Sequence, residues 1–123
     1  MIKKLVFFSF AFIFLACNSN NDDDGTNCTD QFVYGLSITV RDAVTEQIIS
    51  ENITLTATDG NYSEALMTFS GSTNFIGAGE REGTYTIQVL ADGYESFTSD
   101  EIVVNADECH VITEERTFQL QPL

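Results

Sequence analysis

The run Gly83–Phe97, GTYTIQVLADGYESF, decides the fold class. Tyr85, Ile87, Val89 and Ala91 fall on one side at period two, and Thr84, Thr86, Gln88 and Leu90 on the other. That alternation belongs to a strand with one buried face. Asp92-Gly93 follows as a turn, because glycine tolerates positive φ and aspartate can bond its own backbone. Tyr94 and Phe97 then reopen an extended segment, so the stretch reads as the central hairpin of a β-sandwich.

Working outward, the same period recurs. Gln31–Asp42 forms a first strand with Leu36, Ile38 and Val40 on its buried face. Ile53, Leu55 and Ala57 alternate with threonines in a second, ending at the turn Asp59-Gly60-Asn61. Tyr62–Phe69 is a third, weaker strand and Phe75–Ala78 a short fourth. The hairpin supplies Gly83–Ala91 and Tyr94–Val104, and Cys109–Leu120 is the last strand. In that last strand Val111 falls out of phase with Phe118 and Leu120, which predicts a bulge among Thr113–Arg116. Seven short strands, frequent turns and one terminal proline imply an all-β, seven-stranded antiparallel sandwich of Ig-like or prealbumin-like type over residues 31–123.

The amino terminus is of a different kind. Lys3 and Lys4 precede the apolar run Leu5–Leu15, which ends in Ala16-Cys17. Eleven residues are too few to cross a hydrocarbon core of about 30 Å as a helix, and the pattern is that of an export signal over residues 1–16. Phe14-Leu15-Ala16-Cys17 resembles the lipobox of bacterial lipoproteins, with Phe14 where that family prefers leucine. The resemblance implies cleavage before Cys17 and acylation of its thiol, and with it an outer-membrane location. Residues 17–30 then form a lipidated flexible tether without core-forming side chains. Within it, Asp22, Asp23 and Asp24 resemble the acidic signal that sends Bacteroidota-type lipoproteins to the cell surface. Three consecutive aspartates do not have the alternating ligand spacing of an EF-hand loop.

Charge excludes one class of partner. The chain carries a formal −14. Without residues 1–16, only Arg41, Arg81 and Arg116 stand against 19 acidic residues, three positive charges against 19 negative, a formal −16. Such a surface repels phosphate backbones, so no nucleic acid is expected as a partner. Anionic headgroups repel it too, which leaves the acyl chains as the membrane attachment.

From Leu36 to Gln121 the chain resembles a carboxypeptidase regulatory-like domain, with its transthyretin-type sandwich. The motifs that carry the likeness are Ser37–Asp42, Gly83-Thr84-Tyr85 with Ile87 and Val89, Gly93-Tyr94, and Val103-Val104. Gly77–Arg81 and Glu108–Val111 are similar to a subgroup of bacterial lipoproteins with that fold. The family's members are mostly accessory or surface-displayed binding and spacer modules, and these motifs carry no chemistry.

Several constellations invite chemical readings. With Cys17 used by the anchor, Cys28 and Cys109 remain, and an exported chain most simply pairs them; the alternative is two free thiols. His110 beside Cys109 suggests a metal or nucleophile pair, yet neighbours on a strand diverge and the chain has no second histidine. His110 is instead expected to cap a turn or bond a backbone carbonyl, and no metal or cofactor is expected. Arg81, in Glu80-Arg81-Glu82, could receive a carboxylate ligand through its fork, but a local ion pair is the commoner outcome. Asp100-Glu101, Asp107-Glu108 and Glu114-Glu115 read as solvated faces. Among the aromatics, Tyr85 and Phe118 are assigned to the core.

These readings describe a lipid-anchored envelope protein that is not an enzyme. Its domain is a binding module for a protein or glycan, or else a spacer with no ligand. An exposed aromatic patch would favour binding. A hydroxyisourate hydrolase-like activity, which the transthyretin resemblance raises, needs several histidines and a carboxy-terminal Tyr-Arg-Gly-Ser signature. This chain has one histidine and ends Gln119–Leu123.

Overall fold

The computed structural model describes residues 27–123. The export signal, Cys17 and Asp22–Asp24 lie outside the described residues. Eight strands form: β1 (Tyr34–Asp42), β2 (Ile53–Asp59), β3 (Tyr62–Ala65), β4 (Phe75–Gly79), β5 (Gly83–Ala91), β6 (Phe97–Thr98), β7 (Ile102–Val104) and β8 (Glu114–Leu120). One sheet has the order β4-β1-β8. The other has the order β3-β2-β5-β6, with β7 also paired to β5. Among the described residues there is no helix.

The alternation seen in the sequence becomes the core. Leu36, Ile38 and Val40 from β1, Leu55 and Ala57 from β2, and Tyr85, Ile87 and Val89 from β5 are at most 1% exposed. Ile102, Val104, Phe118 and Leu120 join them in one apolar cluster. Phe97 and Phe118 bring their rings to 4.8 Å across the open side between the sheets. Each strand therefore spends one face on a shared interior, which is the main source of its stability.

Four expectations need correction. The strand count is eight because the segment expected as Tyr94–Val104 is broken. Tyr94 stays in the turn, and Ser99 interrupts the ladder between β6 and β7 by bonding β5 with both its backbone and its side chain. Its amide donates to the Ile87 carbonyl, and its hydroxyl accepts from the Ile87 amide at 2.8 Å. Second, the sandwich is not purely antiparallel: β8 runs parallel to β1, in unbroken register from Leu36↔Glu114 to Asp42↔Leu120. The connection 105–113 crosses from β7 in one sheet to β8 in the other, so the chain re-enters at the end where β1 starts. Third, that connection absorbs the phase change, and the continuous register leaves no bulge among Thr113–Arg116. Fourth, the last strand starts at Glu114, because Asp107 Oδ1 accepts the amides of Cys109 and His110 and holds them in a turn.

The molecule thus has two ends, roughly 30 Å apart for a nine-residue strand at about 3.3 Å per residue. The near end collects the segment 27–33, the starts of β1, β5 and β8, and the ends of β4 and β7. At the far end are the close of β1, the loop 43–52, the start of β2, the turn 92–96 and the carboxy terminus. Pro122 bridges Tyr94, and the Leu123 amide donates to the Gly93 carbonyl, so the terminus clasps that turn. Gly93 sits at φ +87, which the Asp92-Gly93 reading anticipates.

Candidate functional site

At the near end, Cys28 and Cys109 are joined by a disulfide, with Cα atoms 5.1 Å apart. The bond links the segment before β1 to the β7–β8 connection. Beside it, the Glu80 carboxylate gathers three donors from separate parts of the chain. Oε2 is 2.6 Å from His110 Nδ1 and accepts the Val33 amide at 2.9 Å, while Oε1 accepts the Val111 amide at 3.3 Å. The other ring nitrogen of His110 lies 3.2 Å from the Thr29 hydroxyl. Burial pushes the Glu80 carboxyl up, but the Val33 amide, His110 and the Val111 amide outweigh it and hold the group below its ordinary value. His110 therefore neither caps a turn through its ring nor bonds a carbonyl, as its sequence neighbourhood suggested. Its imidazole is bound to a carboxylate 30 residues away.

Arg81 makes the ion pair expected of it, but across the fold. Its Nη1 donates to Asp59 Oδ2 at 3.0 Å and to the Tyr85 hydroxyl at 2.9 Å, and its guanidinium carbon lies 3.7 Å from the Tyr62 ring centroid. The bonds to Tyr85 and Asp59 raise its affinity for its proton further. Tyr62 in turn donates to Glu64 at 2.6 Å, which raises the Tyr62 hydroxyl's pKa above its ordinary value. A fork filled in this way by Asp59 and two tyrosines is a structural pin. The carboxylate pairs divide too: Asp107 caps the turn, and Glu114 meets Arg116 at 3.0 Å. Among the described residues, no group of three or more His, Cys, Asp or Glu could hold a metal ion.

The same end carries an exposed aromatic cluster. Phe32 meets Tyr34 edge-to-face at 5.1 Å, and Tyr34 meets Phe69 at 6.1 Å with planes 67° apart. Phe32 is 59% and Phe69 51% exposed. Gly79 makes room for it, since a Cβ there would collide with the Phe32 ring.

The far end is built differently. Asp42 is buried where β1 ends; its Oδ1 accepts the amides of Val44 and Thr45, and its Oδ2 accepts the Tyr94 hydroxyl at 2.7 Å. The Thr45 amide, the Tyr94 hydroxyl and the Val44 amide hold the Asp42 carboxyl below its ordinary value, and the same bond raises that of Tyr94. This link pins the turn 92–96 against the loop 43–52. Next to it lies an open hollow of about 460 Å³, lined among others by Asn52, Thr54, Leu90, Asp92, Tyr94 and Ser96. Leu90 is 48% exposed on its rim.

Sequence reasoning missed Glu80, Asp42 and the Phe32–Tyr34–Phe69 cluster. Phe32 and Tyr34 do sit just ahead of the first strand's apolar stripe, and Glu80 follows a glycine. Their side-chain partners, however, lie far along the chain, 30 residues from Glu80 to His110 and 52 from Asp42 to Tyr94, and pattern within one strand cannot reach that far. No family model matches this chain, and no curated protein matches it.

Proposed function

We propose that this chain is a lipid-anchored envelope protein whose sandwich, of carboxypeptidase regulatory-like and prealbumin-like type, is a non-catalytic binding module. Cys17 carries the acyl chains, Asp22–Asp24 direct the protein to the cell surface, and the far end of the sandwich is offered to a protein or glycan. The carrying observation is the open hollow at the far end, away from the proposed anchor. At the near end the disulfide, Glu80–His110 and Arg81–Asp59 spend their polar groups on holding the fold together. The far end is roughly 30 Å from the point where the chain enters the domain, and it bears the open hollow with Leu90 at its rim.

A photo-reactive side chain placed at position 90 or 103 in intact cells tests the reading. Val103 is as exposed as Leu90 but pairs with Thr84 near the opposite end. A discrete adduct from position 90 and none from position 103 supports a far-end ligand. No adduct from either position makes the domain a spacer.

A further inference from the structure

We infer that the Phe32–Tyr34–Phe69 cluster docks on the interfacial layer of the membrane that carries the anchor. The inference rests on the proposed acylation of Cys17. Two independent observations lead to it. First, two phenylalanines more than half exposed, joined through a tyrosine, form a contiguous apolar surface on a chain that is otherwise strongly acidic. Contiguous exposed apolar patches mark contact surfaces. Second, the cluster lies at the point of attachment. The disulfide fixes the chain to the folded domain at Cys28, eleven positions after Cys17. Whatever its conformation, a segment of that length spans at most roughly 40 Å, so the near end stays within that distance of the anchor. Phe32 follows only four residues after Cys28, so the rings lie on the side of the domain nearest its anchor.

The chemistry of the cluster suits a bilayer interface. The phenylalanines bring apolar bodies, and Tyr34 adds a polar tip, to the headgroup boundary. With planes 70° and 67° apart, the rings offer edges and no shared flat platform. A sugar needs only one open ring face, and a protein only the patch. The place of the rings, four residues from the disulfide where the tether meets the domain, is what favours the membrane over both. Charge sets the lipid class. Glu80 at this end is paired with His110, but Asp30 and Glu82 remain near the surface and disfavour anionic headgroups, so the contact is with zwitterionic lipid. The acyl chains supply the attachment; the rings set the orientation, near end down and the hollow by Tyr94 outward.

The chain has no tryptophan, so a single indole can report position. The full chain, isolated with its acyl chains, is placed on phosphatidylcholine vesicles brominated high on the acyl tails. Phe69→Trp is compared with Leu90→Trp, and Phe32→Trp repeats the reading from the cluster's other side. Docking predicts that both cluster variants shift their emission to the blue and lose most of it to the bromines, while Leu90→Trp keeps its emission. If the protein floats with the vesicles and the three variants behave alike, the docking inference is overturned and the anchor stands, leaving the cluster for a protein or glycan. If the protein does not float at all, the anchor reading fails and the docking falls with it.

Discussion

Glu80 is held at φ +48, in the left-handed region, between Gly79 and Arg81. Non-glycine residues adopt that conformation where surrounding contacts insist on it. Here the contacts are the His110 ring and the Val33 and Val111 amides, which tie the amino-terminal segment and the β7–β8 connection to one carboxylate. The sign of its pH dependence follows. Because its folded pKa is lowered, Glu80 stabilises the fold fully above the unfolded value of about 4.3 and loses that contribution as pH falls through the folded value. Asp42 and Asp107 are lowered too and act in the same direction. The thermal midpoint of the wild type should therefore fall as pH drops below about 5. Glu80→Gln, which keeps the size and loses the charge, should have a lower midpoint at pH 7 and a shallower acid decline. Parallel curves for the two proteins would show that Glu80 is not what the near end depends on. Such a residue is hard to find by reading. Alternation identifies side chains that meet the core, and Glu80 sits in a connection where period two has no meaning.

Among the elements, those with strict alternation were legible and those shaped by backbone competition were not. β1, β2 and β5 bury the residues that period two picks out, except that Ile53 and Ala91 at the far end are only partly buried, and Tyr85 and Phe118 lie in the core as assigned. The segment 94–104 does not keep one phase: Phe97 is partly buried at an odd position, and Ile102 and Val104 are buried at even ones. It breaks because Ser99 offers the Ile87 amide a side-chain acceptor in place of a ladder partner. The parallel β1–β8 pairing was out of reach for a related reason: strand direction depends on where the connection 105–113 crosses, and no residue in β8 itself encodes it. Ser99→Ala would leave the buried Ile87 amide without that acceptor. It should cost about 1–3 kcal/mol, the penalty for an unsatisfied buried donor, read from urea denaturation. A loss within a few tenths would mean that the ladder closes without the serine.

For the whole molecule, the disulfide and the anchor are linked by position. Joining Cys28 to Cys109 closes a loop with a sequence separation of 81. On the chain-entropy estimate this stabilises by up to about 4.5 kcal/mol. Pairing was legible from the cysteine count together with the expected export signal, although Cys109 proved to lie in a turn rather than on a strand. Reduction, or the Cys28→Ser/Cys109→Ser variant, should lower the denaturation midpoint and keep the β-sheet circular dichroism, because the apolar core does not depend on the bond. Loss of the β signal at room temperature would show that the core cannot hold the sheets together alone. The bond also sets how far the domain stands from Cys17, and so ties the fold to its proposed place in the envelope. On the proposed function, lipid holds the protein there. Labelled palmitate supplied to growing cells tests it directly. The wild type should incorporate label that survives denaturation and boiling, and Cys17→Ser should incorporate none; equal labelling of the two proteins would rule out a lipid on Cys17.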